Sequence, residues 1–417
     1  MTMPRSRLAY ALPIIALLAL ATCAFAQQEA PATFDEMLER VKVLSYARQK
    51  TEAFEAASAL VEAHPERAEA WYWRGSTREL PEENEAAAAD FRRALELAPD
   101  YLDAQFSLAY AEARPQEDWE GFQARMRAVA DRCADAIGAD ADNAGAYRVR
   151  AAALSDLGEF DAAGADAQRA VELAPDDMDA RLQLALQLML SRDHEAAIEH
   201  LQAILERYPE HVTALVQLGR AYMGLDRYDE ALQCWEEAAR VAPDQAQPHQ
   251  MRAFLLWWEL HDPQAALEAC DDAIAAEPNS HLGYVQKAEI LMEGLGDTEG
   301  ALHVVNQGFE ALDDPAGLLL MRALLLMDLA RWDEALADLD AALVAMPYAG
   351  QSYYVRAQVL YELGRYDEAW RDVHAAEEAL WQFGWTPGEE FLDKLREAMP
   401  EPPANTGDAQ QTTNEGN

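Results

Sequence analysis

Four arginines in this chain are each followed sixteen residues later by an aspartate: Arg74 by Asp90, Arg150 by Asp166, Arg322 by Asp338 and Arg356 by Asp372. A guanidinium can grip an anionic ligand bidentately, or it can close on a carboxylate of its own chain. The fixed spacing decides for the second. Where the arginine is replaced by Leu184 or Leu218, the residue sixteen later is His200 or Cys234, so charge accompanies charge and apolar accompanies uncharged. Arg252 and Lys287 break the rule: in their longer units the aligned positions stand seventeen residues later, and these hold Ala269 and Val304. The four matched couples are therefore read as structural ion pairs between facing helices.

Other residue types that could do chemistry are scattered. His194 and His200 lie in the stretch DHEAAIEH and are six apart, which misses the spacing of the zinc-protease motif H-E-x-x-H and turns them to different sides of a helix. There is no nucleophile elbow, no phosphate-binding loop and no dinucleotide fingerprint. Acidic doublets such as Asp271-Asp272 read as solvated surface. Cys133, Cys234 and Cys270 are an odd set far apart, so they read as small buried apolar residues. A Cys234–Cys270 bridge is the alternative, although second helices of neighbouring repeats hold their Cα atoms too far apart for one. The expectation is no catalytic residue, no metal, no cofactor, no small-molecule substrate and no enzyme.

The elements that position these residues are helices. Half of the 417 residues are apolar, alanine is abundant and strand-favouring residues are sparse. The net charge is −42, and only Lys42, Lys50, Lys287 and Lys394 are lysines. Such a surface repels nucleic-acid phosphates and anionic lipid, and tolerates basic or neutral partners. At the N-terminus, Arg5 and Arg7 precede an apolar run, Leu8 to Leu20, and then Ala24-Phe25-Ala26. That is the pattern of a signal peptide over 1–26, cleaved after Ala26. Two alternatives stand beside it. Leu20-Ala21-Thr22-Cys23 resembles a lipobox, which would make Cys23 a lipidated N-terminus and give membrane contact, and the segment could also remain as an uncleaved anchor.

Prolines 65, 99, 175, 209, 243, 278 and 347 are spaced by 34 or 35 residues or by about twice that. Small residues mark a first helix in each unit (Gly75, Ala151, Ala185, Gly219, Ala253, Ala288, Ala323, Ala357), and twelve or thirteen residues later an alanine marks a second, from Ala87 and Ala163 to Ala369. Antiparallel helices cross closely only where side chains are small. With Trp71, Tyr147, Tyr222, Phe91 and Trp235 at the bulky positions, these residues resemble the tetratricopeptide repeat, and Val212 to Gln245 is the best single unit.

The resemblance implies an all-α, right-handed superhelical solenoid of antiparallel helix hairpins over 34–383. It begins after a signal peptide at 1–26 and a short linker at 27–33. Its units are a degenerate first repeat at 34–67, regular ones at 68–101, 144–177, 178–211, 212–245, 246–280, 281–315, 316–349 and 350–383, and a stretched unit at 102–143. A capping helix within 384–399 and a disordered tail at 400–417 complete the expectation.

The resemblance also implies that the first helices line a concave groove. Carried over, its lining is Leu182, Leu186, Met189, Val216, Arg220, Met223, Phe254, Trp257, Leu324, Met327, Tyr354 and Tyr361, with Tyr72 and Arg148 further toward the N-terminus. An apolar stretch rimmed by Glu289, Asp328 and Glu362 suits a peptide or helix of a partner, with apolar or basic segments favoured. The family's carboxylate clamp does not carry over, because its lysine and asparagine positions hold other residues here. The functional expectation is a non-catalytic protein–protein interaction scaffold or adaptor of the bacterial envelope, periplasmic or secreted. The alternatives are an outer-membrane lipoprotein adaptor in envelope assembly and an accessory subunit of an envelope enzyme.

Overall fold

The computed structural model describes residues 32–78, 83–112, 119–347, 349–380 and 388–399. The expected signal segment, Cys23 and the tail 400–417 lie outside the described residues, as does most of the linker. Among the described residues every regular element is helical. They form two compact units, 1–221 and 222–417, divided inside one helix.

The first unit contains α1 (Phe34–Tyr46), α2 (Lys50–Ala63), α3 (Ala68–Ser76), α4 (Asn84–Leu97), α5 (Leu102–Ala111), α6 (Trp119–Ala139), α7 (Ala144–Asp156), α8 (Phe160–Leu173), α9 (Met178–Leu190), α10 (His194–Arg207) and most of α11 (Val212–Met223). The extra length of 102–143 goes into α6, a helix of 21 residues whose Phe122, Met126 and Cys133 are buried. The second unit holds α12 (Tyr228–Val241), α13 (Ala246–Trp258), α14 (Pro263–Ala276), α15 (His281–Glu289), α16 (Thr298–Ala311), α17 (Ala316–Asp328), α18 (Trp332–Ala345), α19 (Gly350–Glu362), α20 (Tyr366–Leu380) and α21 (Glu389–Ala398).

Local chemistry sets the boundaries. Asn143, Asp177, Asp193, Asp262 and Asp297 cap the helices that follow them by accepting backbone N–H bonds, which satisfies donors with no partner inside the helix. In eight hairpins one residue of the turn takes the left-handed conformation: Arg48, Gly158, Arg192, Asp226, His261, Gly296, Ala330 and Gly364. Beside it the chain closes a six-residue helix-end turn, as where Asp193 N donates to Leu188 O at 2.8 Å.

Two repeats differ. In 246–280 and 281–315, Asp262 N reaches Leu256 O and Asp297 N reaches Leu291 O, each at 2.8 Å, so the turn holds one residue more. This is where a 35-residue repeat keeps its extra residue. In the second of the two, α15 also widens into a π-helical turn over Ile290–Gly294.

The small residues at the crossings are all buried. At Gly75 the approach is so close that a Cβ would stand 2.7 Å from the Phe91 ring. The four couples close across these crossings. Arg74 forks onto Asp90 (2.9 and 2.5 Å), Arg150 onto Asp166 (2.6 and 2.7 Å), Arg322 onto Asp338 (2.7 and 2.6 Å) and Arg356 onto Asp372 (2.7 and 2.9 Å). The aspartates are buried and the arginines mostly so, with each guanidinium also lying over a ring: Trp71, Tyr147, Phe309 or Tyr353. A planar cation that meets a carboxylate with one edge and an aromatic ring with its face is held in one orientation.

A second regularity escaped the sequence reading. Six residues after a repeat-ending proline, a side chain turns back to donate to that proline's carbonyl: Trp71 to Pro65, Gln105 to Pro99, Arg181 to Pro175, Tyr284 to Pro278 and Tyr353 to Pro347, at 2.7 to 3.2 Å. Donors of four chemical types do the same work, so no residue pattern announces it.

Candidate partner-binding surfaces

In the first unit, α1 folds back onto residues more than 130 positions away. The Tyr46 ring stacks on His211 with centroids 4.4 Å apart, and its hydroxyl donates to Asp179 at 3.1 Å. Glu39 accepts from the Tyr208 hydroxyl (3.0 Å) and from Arg207 (3.2 Å), and Arg48 reaches Thr213 at 3.5 Å. Burial, with Arg48 alongside, pulls the His211 imidazole down to about 4.

Behind this closure the inner face is occupied by the chain's own polar groups. Arg148 pairs with Asp103 (2.8 Å) and Asp177 (3.4 Å). Burial raises the Asp179 carboxyl, and the nearby Arg148 charge draws it back. Tyr72 and Tyr101 pack beside them with their rings tilted and centroids 5.2 Å apart, and their phenols are pushed upward by burial.

The predicted groove residues therefore divide. In the first unit Leu182, Leu186 and Met189 on α9 are half-buried, and Arg220 is exposed with its guanidinium bonded to Gln217. Val216 is a correction: it is 1% exposed and cannot line an open groove. Thr213, one turn earlier on the same face, is the residue that Arg48 holds, so the returning N-terminal hairpin covers this side of α11.

In the second unit Met223, Leu324 and Met327 are half-buried, the latter two packed against the core that includes Leu318, Leu325 and Val355. Tyr354 and Tyr361 meet an unexpected neighbour. The closing helix α21 places Phe391 edge-on to both rings, at 5.7 and 5.9 Å, and Gly388 N donates to the Tyr354 hydroxyl at 3.1 Å. α21 buries Leu392 and Leu395 in the last repeat's core, as the first helix of a further repeat would. A recess of about 440 Å³ remains between Tyr361, Gln358, Met327, Phe391 and Lys394.

Exposed aromatic groups lie beside Phe122, where Tyr110 is 46% and Trp119 52% exposed, and on α13. Phe254 is 38% exposed and Trp258 is 50% exposed, with Trp257 half-buried between them. Ring centroids are 6.4 Å apart for Phe254–Trp258 and 4.6 Å for Trp257–Trp258. Trp257 leans over the π-helical turn: a Cβ on Gly294 would stand 3.2 Å from its indole nitrogen. The sequence reading named Phe254 and Trp257 but missed Trp258, which falls one residue past the last groove position that the family resemblance carries over. Leu260 and Leu295, in the two long turns, are exposed as well.

Acid surrounds this group. Glu259 accepts from the Tyr228 hydroxyl at 3.1 Å, and the Glu289 carboxyl is raised by burial and by Glu293 four residues on. The two long repeats also lack the buried couple. Arg252 reaches a half-exposed Asp272 at 3.6 Å, and Lys287 binds Asp271 of the preceding repeat.

Little else offers chemistry among the described residues. No group of three or more His, Cys, Asp or Glu side chains is placed to hold a metal ion, and no helix is long and apolar enough to cross a membrane. Cys133, Cys234 and Cys270 are free thiols. Burial pushes those of Cys133 and Cys270 up to about 12 and that of Cys234 up to about 11.

Helix hairpins of this period, crossed at small residues, define a helical repeat protein. Sequence models of the tetratricopeptide repeat match residues 38–80, 68–101, 159–211, 188–254 and 320–381, together more than half of the chain. The chain belongs to the tetratricopeptide-repeat family, whose repeats form a scaffold for protein interaction.

Among solved structures, yeast Tom70 aligns with a TM-score of 0.55 at 17% identity, over 93% of this chain and 92% of that one. A tetratricopeptide repeat protein from Parabacteroides merdae aligns over 65% of this chain and 98% of its own, at 15% identity and a TM-score of 0.43. PilF of Pseudomonas aeruginosa aligns over 50% and 94%, at 19% identity and 0.38. The first likeness speaks to the fold alone, and the other two are too loose to carry an argument. A search of curated protein sequences gives no match.

Proposed function

We propose that this chain is a non-catalytic scaffold of the bacterial envelope that binds a partner protein through the Phe254–Trp257–Trp258 surface. The observation that carries the reading is this aromatic group, solvent-facing at the end of α13 and backed by a widened helix. Large rings left in water are unfavourable for a lone protein, and Trp and Phe are common energetic anchors of interfaces. The acidic rim favours a partner segment that is apolar with basic flanks, and it makes association salt-sensitive.

Export rests on the N-terminal pattern Arg5, Arg7, Leu8 to Leu20 and Ala24-Phe25-Ala26. The mass of the N-terminus of the protein recovered from cells tests it. A chain starting at Gln27 supports a free periplasmic or secreted scaffold. A lipid-bearing Cys23 would replace that with an outer-membrane adaptor.

The binding reading is tested with Phe254→Ala combined with Trp258→Ala, both exposed, after melting curves establish that the variant folds. A partner captured from envelope extracts by the mature chain is expected to lose most of its affinity for the variant. Unchanged affinity would overturn the assignment of this surface.

A further inference from the structure

The residue directly after the second-helix alanine is large and apolar in six repeats, from Ile198 and Leu232 to Leu336 and Trp370. In 144–177 it is Gly164, in the first half of α8. A cleft of about 450 Å³ stands where that side chain would project, walled by Phe160 on α8 and by Leu184, Leu188 and Leu190 on α9.

Three observations make this more than a packing gap. First, the chain itself does not need the glycine. A Cβ on Gly164 would meet nothing within 4 Å, and glycine inside a helix weakens it relative to alanine. Second, the walls are unusually bare: Phe160 is 51% exposed and Leu190 57% exposed. Third, Gln187, which lines the cleft, is 6% exposed, donates its amide nitrogen to Ser155 Oγ at 3.0 Å, and has no partner for Oε1. A buried acceptor left unmet is costly, and a donor arriving from outside would relieve it.

We propose that this cleft receives a tryptophan side chain from a partner protein. The ring takes the place that Trp370 fills in its own repeat, where it is fully buried, and the Gln187 side chain, whose Oε1 is covered in the free chain, turns into the cleft so that the indole N–H donates to it. Asp161 at the rim, on a chain of net charge −42, favours a partner with basic residues beside that tryptophan. The site is separate from the α13 aromatic surface, and either can fail without the other.

The test uses the full mature chain with leucine methyls labelled for NMR. The probe is N-acetyl-tryptophanamide, set against the same compound methylated on the indole nitrogen. Saturable shifts are expected at the methyls of Leu188 and Leu190. The methylated probe should bind about tenfold more weakly, because it leaves Oε1 unmet. Gly164→Leu fills the cleft from within and should abolish the shifts while melting no lower than the wild type. If that variant does not fold, Leu190→Ser at the exposed rim carries the test, with binding reduced. No saturable shift in the wild type, undiminished shifts in these variants, or equal binding of the methylated probe would each overturn the proposal.

Discussion

Two kinds of repeat stand within the second unit. Repeats 316–349 and 350–383 keep the 34-residue period and lock their helices with a buried arginine–aspartate fork. Repeats 246–280 and 281–315 each hold one residue more, in the turn between their helices. Their cations reach half-exposed acids instead, and their first helices expose aromatic or aliphatic side chains. One added residue, a displaced ion pair and an exposed aromatic group occur together. The difference teaches that the buried fork goes with the regular period, and that the exposed α13 rings stand where the period lapses.

The sharpest way to break this comparison is to remove the cation from each kind. Arg322→Ala strands Asp338 in the core and is expected to cost about 3 kcal/mol, the low end for breaking a buried pair. Arg252→Ala removes a pair open to water and should cost under about 1 kcal/mol. Denaturant melts read both. Equal losses would mean that the long repeats depend on their ion pair as much as the regular ones do.

Acid tests a repeat that lacks the couple. Repeat 178–211 has Leu184 in the arginine position, and its last residue, His211, is held by stacking on Tyr46. Tyr208, Thr213, Arg48 and Asp179 are the polar groups around that contact. The folded-state pKa is lowered to about 4, so the unfolded chain takes up a proton first as pH falls. The contribution is therefore complete above pH ~6.5 and is lost as pH falls from there to about 4, up to about 3 kcal/mol in all. His211→Gln should flatten this part of the stability profile, and an unchanged slope would place the proton uptake elsewhere.

Binding tests the long repeats directly. Truncating Phe254 and Trp258 should weaken a partner by about 2 kcal/mol or more with little loss of stability, since both rings are exposed. Stability lost without affinity lost would return these rings to the core.

The smallest effect concerns the turns. Ala330 in a regular turn and His261 in a long one both hold a left-handed conformation that disfavours a side chain. Ala330→Gly and His261→Gly should each stabilise by about 0.5 kcal/mol, the relief of strain less the added freedom of the unfolded chain. A clear gain at one and none at the other would show that the longer turn carries its strain differently.

Most of the helices were legible in the sequence, because the period, the crossings and the caps are local signals. So were the four couples, since co-occurrence at a fixed spacing within one hairpin requires no knowledge of the rest of the chain. The return of α1 onto His211 and Asp179 was not legible. It joins residues more than 130 apart, and nothing near Tyr46 marks it. Val216 was misread for that reason, its groove position being correct for a lone repeat and wrong once α1 covers it. Trp258 was missed because it stands just beyond the last groove position of its helix, where the repeat pattern assigns no facing.

The proline clasp has a mechanical consequence. Pro65, Pro99, Pro175, Pro278 and Pro347 each tie the end of one hairpin to the start of the next through a side-chain donor. At the entries to 212–245 and 316–349 the equivalent residues are Leu215 and Leu318, which have no polar side-chain atom to offer, and at the entries to 144–177 and 246–280 Tyr147 and His249 turn to Arg150 and Arg252 instead. A chain drawn out by its two ends then behaves as a row of rivets with four missing, and optical-tweezer traces should show the first rips at those seams.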